Sequence, residues 1–285
     1  MLEWKIGDVK ITCIVEKIEP VRVHKLLAHA TQEAFDAVGW ISPFVDEKGR
    51  IKLSVHALVV ELGEKRIVID TCMGNDKHRL RHGGDLQTDF LERFEAAGFR
   101  RDEIDTVLCT HLHYDHVGWN TMLVDGKWIP TFPKARYLIG REEFEHAKDD
   151  EEGDHPFVFA DSVKPVFEAG LVDLVETDHQ LCEEISFVPT PGHTRGHVSV
   201  RISSKGESAL ITGDMVHHPV QLAHPEWFNN SDENPDQSTD TRRRIFGDAA
   251  DARTLLIGSH FADPTAGHVI REGDAFRLTV PETVR

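Results

Sequence analysis

The chain contains no stretch near the roughly 18 consecutive apolar residues that a membrane-spanning helix needs. Its strand-like runs, such as HALVVEL, are broken by charge. A basic leader followed by an apolar run and a small-residue cleavage site is also lacking, so the expectation is a soluble, cytoplasmic protein. Cysteine is scarce: Cys13, Cys72, Cys109 and Cys182 lie far apart, with no C-x-x-C pair. That spacing fits reduced thiols better than a disulfide frame, and each reads as a small buried hydrophobe. Positive charge is in deficit, with 32 Lys and Arg against 49 Asp and Glu and a formal charge of -17. Such a surface repels phosphodiester polymers and anionic lipid, so neither nucleic acid nor membrane is an expected partner. A G-x-S-x-G elbow is missing as well, so nothing points to a serine nucleophile.

What the chain does have is length and apolar content, 285 residues at 40% hydrophobic, enough for a sizeable core. Short β-branched runs predict strands over 9–15, 53–61, 66–70, 106–109, 135–139, 185–188, 198–202, 209–212, 254–257 and 275–278. Helical spacing predicts helices over 89–97, 141–147, 162–169 and 239–248. Early strands follow one another like hairpins and later ones are separated by helices, which predicts a mixed, layered fold. No repeat or low-complexity linker divides the chain, so a single domain over 1–285 is expected. Two long loops are expected near 24–52, with Phe35, Trp40 and Phe44, and near 217–240, with Trp227 and Phe228. Apolar residues in polar loops need a place to be buried, and a pocket mouth is one such place.

The segment TVLCTHLHYDHVGW, residues 106–119, is the most informative. An apolar strand ends at Cys109, and His111, His113, Asp115 and His116 then arrive within six residues. Four residues of these types at one strand end are best explained by shared cations. Three further segments place a ligand-type residue after an apolar run and a small residue: His193 in FVPTPGHTRGH, Asp214 in ALITGDMVHH and His260 in TLLIGSHFADP. Several strand ends can thereby converge, as catalytic groups do in other α/β folds.

With these motifs the sequence resembles the metallo-β-lactamase superfamily, its H-x-H-x-D-H box matched by His111, His113, Asp115 and His116, followed in order by His193, Asp214 and His260. The resemblance implies an α+β fold, a four-layer αββα sandwich with the metals at one edge. It implies that His111, His113 and His193 hold one metal, that Asp115, His116 and His260 hold the second, and that Asp214 bridges them. Zinc is the usual metal of the superfamily, although iron and manganese members exist, so two divalent ions, Zn2+ by preference, are the expected cofactors. Asp70 matches the family's D-T-G element as an acceptor for a ligand imidazole, with Cys72 where the family has Gly. His197, four residues after His193, reads as a supporting or packing residue rather than a ligand. His24, His29, His78, His82, His146, His155 and His179 read as surface groups.

Two adjacent cations lower the pKa of a shared water and polarise a carbonyl or phosphoryl oxygen, so a metal-bridging hydroxide is the expected nucleophile. Asp115 is a candidate to orient it or to carry a proton to the leaving group. His217, the third residue beyond Asp214, stands where the family's acyl-homoserine lactonases show Tyr, and is a candidate hydrogen-bond donor to a developing oxyanion. The GDMVHH segment is closer in pattern to the branch containing methyl parathion hydrolase and its arylester- or lactone-hydrolysing relatives. The expected substrate is a small neutral ester or lactone, with phosphotriesters as side substrates, and Trp119, Trp227, Phe228 and Phe261 are expected near the pocket. A homodimer is compatible with the chain. The alternatives are a glyoxalase II-type thioesterase, for which Arg242, Arg243 and Arg244 are the one basic cluster, a β-lactamase, and a non-enzymatic metal-stabilised binding protein.

Overall fold

The structure, a computed structural model, describes residues 1–79, 86–150 and 155–280. The chain groups into two compact units, one built mainly from residues 3–17 and 55–177, the other from 18–54 and 178 onward. Fifteen strands fall among the described residues. A seven-stranded sheet has the order β1 (Leu2–Ile6), β2 (Val9–Val21), β3 (Ile51–Leu62), β4 (Lys65–Ile69), β5 (Thr106–Leu108), β8 (Arg136–Gly140), β9 (Val172–Val175). β3 and β4 form an antiparallel hairpin, while β4, β5, β8 and β9 run parallel. β6 (Thr121–Val124) and β7 (Lys127–Pro130) make a separate two-stranded hairpin.

The six strands of the second sheet follow chain order: β10 (Ile185–Pro189), β11 (Val198–Ser204), β12 (Glu207–Ile211), β13 (Leu255–Ile257), β14 (Ala266–Glu272) and β15 (Ala275–Thr279). Only β12 and β13 pair in parallel, because the helix Pro235–Ala252 crosses between them. That helix begins four residues before the predicted start. Asn234 caps it by accepting the Gln237 N–H at 3.1 Å, and Pro235 follows at the first turn, where its missing N–H costs nothing. Its buried residues, Ser238, Thr241, Arg242, Ile245, Phe246 and Ala249, recur at helical spacing on one face.

Each unit has its own apolar core. In the first, Val59, Val68, Val107, Tyr137 and Ile139 from the sheet meet Phe90 and Phe94 from the helix Phe90–Ala96, one turn apart on the same face. In the second, Ile245 and Phe246 pack with Leu256, Phe261 and Leu278. Each such side chain, fully buried, contributes on the order of 1.5–3 kcal/mol. The segment 24–52 is not an irregular loop. It carries the helices Val23–Leu26 and Gln32–Asp36 and the 3-10 turn Gly39–Phe44, because Val23, Leu27, Phe35 and Ile41 are buried with Trp227. The segment 217–240 likewise carries the short helix Val220–Ala223 and the start of Pro235–Ala252.

One buried ionic cluster gives the first unit a distinctive pH response. Arg79 forks onto Asp161 at 2.7 and 2.9 Å, while Lys77 Nζ donates to Thr121 Oγ1 at 2.8 Å and lies 3.8 Å over the Trp128 ring. Burial lowers the Lys77 pKa from 10.5 to about 8, against the opposing pull of Asp161. A folded lysine that binds its proton more weakly than the unfolded chain does contributes stability above about pH 10.5 and loses it as pH falls towards about 8. Relative to Lys77→Met, the wild-type protein should therefore gain roughly 3 kcal/mol between pH 8 and 10.5, read from paired urea titrations. Parallel pH profiles for the two proteins would rule this out.

Candidate metal centre

In the first unit the parallel strands β4 and β5 end in register, at Ile69 and Leu108, with Leu138 of β8 alongside. The residues just beyond β4 and β5 are therefore delivered to one edge of the sheet. Asp70, after β4, accepts from Thr110 N (2.8 Å), Thr110 Oγ1 (2.9 Å) and His116 Nδ1 (2.8 Å). The two loops are stitched together by Thr71 N to His116 O at 2.6 Å, Gly118 N to Cys72 O at 2.7 Å and Trp119 N to Thr71 O at 2.8 Å. Gly118 is required for this approach, since a Cβ there would sit 1.9 Å from the Met73 carbonyl. Cys72 has φ +53°, in the left-handed region that favours glycine.

His111 and His116 are buried, and His113 and Asp115 half-buried. Thr110 Oγ–H is committed to Asp70, so His111 Nδ1–H donates to Thr110 Oγ at 3.1 Å and its Nε2 is left unprotonated. That nitrogen lies 3.0 Å from His113 Nδ1, a distance accounted for by a proton between them or by a cation coordinated to both. His116, with Nδ1 on Asp70, turns Nε2 towards Asp115 Oδ1 at 3.9 Å. The short helix Tyr114–Val117 carries both residues.

In the second unit three imidazoles surround one buried carboxylate. His193 Nε2 lies 3.4 Å and His217 Nε2 3.1 Å from Asp214 Oδ2, and His260 Nε2 3.1 Å from Asp214 Oδ1. The backbone places each of them. Asp214 follows β12 through Gly213 at φ +53°, and its N–H donates to His197 Nε2 at 2.8 Å. His197 Nδ1 in turn donates to Thr190 O at 3.0 Å, so this ring supports Asp214 and is not directed at the cluster through a free nitrogen. His260 follows β13 and exchanges hydrogen bonds with Ser54, its Nδ1 donating to Ser54 O at 2.8 Å. His193 follows Gly192 at φ +132°, where a Cβ would lie 2.4 Å from the Ser238 backbone. Its Nδ1 donates to Asp232 Oδ1 at 2.8 Å.

These second bonds decide the charge balance. With Nδ1–H of His193 and of His260 each given to an oxygen, the neutral rings present unprotonated Nε2 to a carboxylate, which is repulsive unless a proton or cation lies between. The donor set, imidazole nitrogen with a carboxylate, is that of a divalent transition metal. Asp214, His217 and His260 each offer a ligand atom within 4.8 Å of the others. His217 differs in one respect: its Nδ1 is buried and has no hydrogen-bond partner among the described residues. Burial pulls its pKa below the usual 6.5, with the Asp214 carboxylate acting in the opposite sense. For Asp232, burial alone would raise the carboxyl, but the hydrogen bond from His193, with neighbouring positive charge that includes Arg242, outweighs it and holds it at about 2.

Several expectations need correction. Trp119, Trp227 and Phe261 are core residues, at 4%, 5% and 0% exposure, because rings of that size gain most from full burial. Phe228 is half-buried, edge-on to His29. Arg242 is fully buried on Asp232 and cannot belong to a solvent-facing basic cluster. Of the histidines expected at the surface, His24, His29 and His78 are exposed and His146 and His179 half-buried; His82 and the side chain of His155 lie outside the described residues. The sequence reading missed Asp232, which stands in an aperiodic stretch. It also missed Gln221, whose Oε1 accepts the backbone N–H of His217 at 2.8 Å and of His218 at 3.2 Å.

The family model of the metallo-beta-lactamase superfamily matches residues 50–259, and the chain belongs to that superfamily. It is similar to a probable metallo-hydrolase of Mycobacterium tuberculosis, 26% identical over 229 residues covering 70% of this chain and 64% of that one. It is also similar to an N-acyl homoserine lactonase of a Bacillus species, 25% identical over 178 residues, 58% of this chain and 64% of the other. The chain thus spans 64% of the length of these curated relatives. Among solved structures, the hydrolase AbOPH of the beta-lactamase superfamily superposes with a TM-score of 0.83 at 24% identity, over 98% of this chain and 97% of that one. AidC, a dizinc quorum-quenching lactonase solved with a product, gives 0.83 at 21% identity over 99% and 97%. The fold is therefore the metallo-β-lactamase fold, of the α+β class.

Proposed function

We propose that the chain is a dinuclear metal-dependent hydrolase of small esters or lactones, acting as a single domain. His111, His113 and His193 would hold one divalent ion and Asp115, His116 and His260 the other, with Asp214 shared. The observation that carries this reading is the Asp214 cluster, where His193 and His260 aim Nε2 at one carboxylate while their Nδ1 atoms are committed elsewhere. Zinc is the metal we infer, in keeping with the dizinc neighbour. Such ions supply activation of water near neutral pH and polarisation of the scissile carbonyl.

The chain's own residues do the rest. Asp70 and Asp232 hold the rings of His116 and His193 in one tautomer. His217, neutral near pH 7, gives its Nε2–H to Asp214 in this structure, and the same N–H is the donor available to a substrate oxygen as negative charge develops on it. Asp115, a half-buried carboxylate beside His116, carries a proton towards the leaving group. The lactone or ester preference is supported by the lactonases among the relatives and structural neighbours. Burial of Arg242 takes one of the three arginines away from the cluster on which a glutathione thioester would have relied, leaving Arg243 and Arg244 exposed. Four thiols without a disulfide support a cytoplasmic location.

The test is a panel on the zinc-loaded protein: an N-acyl homoserine lactone, an aryl ester, a phosphotriester, a glutathione thioester and a β-lactam. The lactone or aryl ester is expected to give the highest kcat/KM, with activity lost on chelation and restored by metal. Faster turnover of the thioester or the β-lactam than of both would overturn the substrate assignment.

A further inference from the structure

The carboxylate of Asp232 is fully buried and its acceptor positions are filled. Oδ1 takes His193 Nδ1–H at 2.8 Å, and Oδ2 takes Ser238 Oγ at 2.6 Å, Asn229 N at 3.2 Å and Arg242 Nη1 at 3.4 Å. Arg242 is equally buried. Its Nε donates to Pro225 O at 2.8 Å, Nη1 to Met215 O at 3.2 Å and to Ser238 Oγ at 2.5 Å, and Nη2 to Thr239 Oγ1 at 3.3 Å. Among its partners, one guanidinium on the helix Pro235–Ala252 thus holds both the carboxylate behind His193 and the carbonyl of the residue that follows Asp214.

An apolar pair of similar volume would serve stability as well or better, because two buried charges must be desolvated before they attract each other. The arrangement therefore needs a purpose beyond holding the fold. Orientation supplies one. With Oδ1 accepting Nδ1–H, a neutral His193 leaves Nε2 as the unprotonated nitrogen on the side of Asp214, and a ring flip would set a C–H against the carboxylate.

We propose that Asp232, held in place by Arg242, is a positioning residue of the metal centre that fixes the tautomer and ring orientation of His193. The proposal rests on the reading of His193 as a metal ligand. It predicts weaker metal binding when the acceptor is neutralised, by 10–100-fold, about the usual effect of removing such a partner.

The experiment measures cobalt(II) and zinc affinity of the full chain by competition with a chromophoric chelator. Asp232→Asn is expected to bind each ion 10–100-fold more weakly. Asp232→Asn combined with Arg242→Met, which leaves no unpaired buried cation, should show the same loss. In a His193→Ala background Asp232→Asn should cost nothing further, an outcome that a merely structural role would not produce. Nitrogen-15 histidine spectra of the metal-free wild type need no variant to fold, and should place the His193 proton on Nδ1. A proton on Nε2 with none on Nδ1 overturns the proposal, as does an Asp232→Asn loss that persists undiminished without His193. So does wild-type affinity in Asp232→Asn when His193→Ala binds weakly. Unchanged affinity in His193→Ala itself would instead remove the ligand reading beneath the proposal.

Discussion

Asp214→Ala is expected to leave the protein without either ion and to lower kcat/KM on its best substrate by on the order of 10⁴-fold or more. Three imidazole nitrogens stand 3.1–3.4 Å from this one carboxylate, and its backbone N–H is tied to His197. Alanine would keep the turn, since the Gly213 conformation and the His197 bond involve the main chain. It would remove the carboxylate these three rings share, and with it the negative charge that offsets a dication. Because a shared ligand belongs to both sites, metal analysis should show both ions lost together. Clean loss of one ion with the other retained would place Asp214 in a single site.

His217→Ala is expected to lower kcat about a hundredfold while both ions stay bound, since one positioned donor to a developing oxyanion is worth on the order of 3 kcal/mol. Ligand imidazoles almost always give their second nitrogen to a fixed acceptor. His193 and His260 do so, to Asp232 and Ser54, whereas His217 Nδ1 has no hydrogen-bond partner among the described residues. The His217 ring instead lies parallel to that of His260, 5.5 Å between centroids and 7° between planes. Its position is set from the backbone, by Gln221 accepting the His217 N–H. Metal content, kcat and KM measured together separate the outcomes, with His217→Tyr as the lactonase-like comparison. Unchanged kcat would make His217 a bystander, and loss of metal would make it a ligand.

The elements that organise these residues were legible wherever apolar periodicity was strong. The strands leading to Asp70, His111, Asp214 and His260 were predicted within a few residues of their observed ends, because each is a short β-branched run closed by a small or polar residue. The hairpin Thr121–Val124 and Lys127–Pro130 was missed although Asp125 and Gly126, at φ +49° and +76°, form the kind of turn that an Asp-Gly pair announces. Its strands expose Leu123, Val124 and Ile129, so they show no clean alternation. Ala266–Glu272 was missed because it opens on Ala-Gly and ends in charge. Asp232 was out of reach for a different reason. Nothing local distinguishes it from the other polar residues of its loop, and its function arises only where the chain returns to His193, 39 residues away in sequence.

The aromatic residues show the converse error. Trp119 was expected near the pocket, yet it stacks on Phe90 at 5.8 Å and donates Nε1–H to Glu16 at 2.7 Å. Hydrophobic size in the sequence reports how much a residue gains from burial, and says little about which cavity or core receives it.

Elemental analysis of the full chain, purified and then saturated with zinc, tests the central claim most directly. The account predicts two ions per chain, with hydrolysis abolished when a chelator removes them and recovered as they return. A plateau at one ion per chain under saturating metal would contradict it.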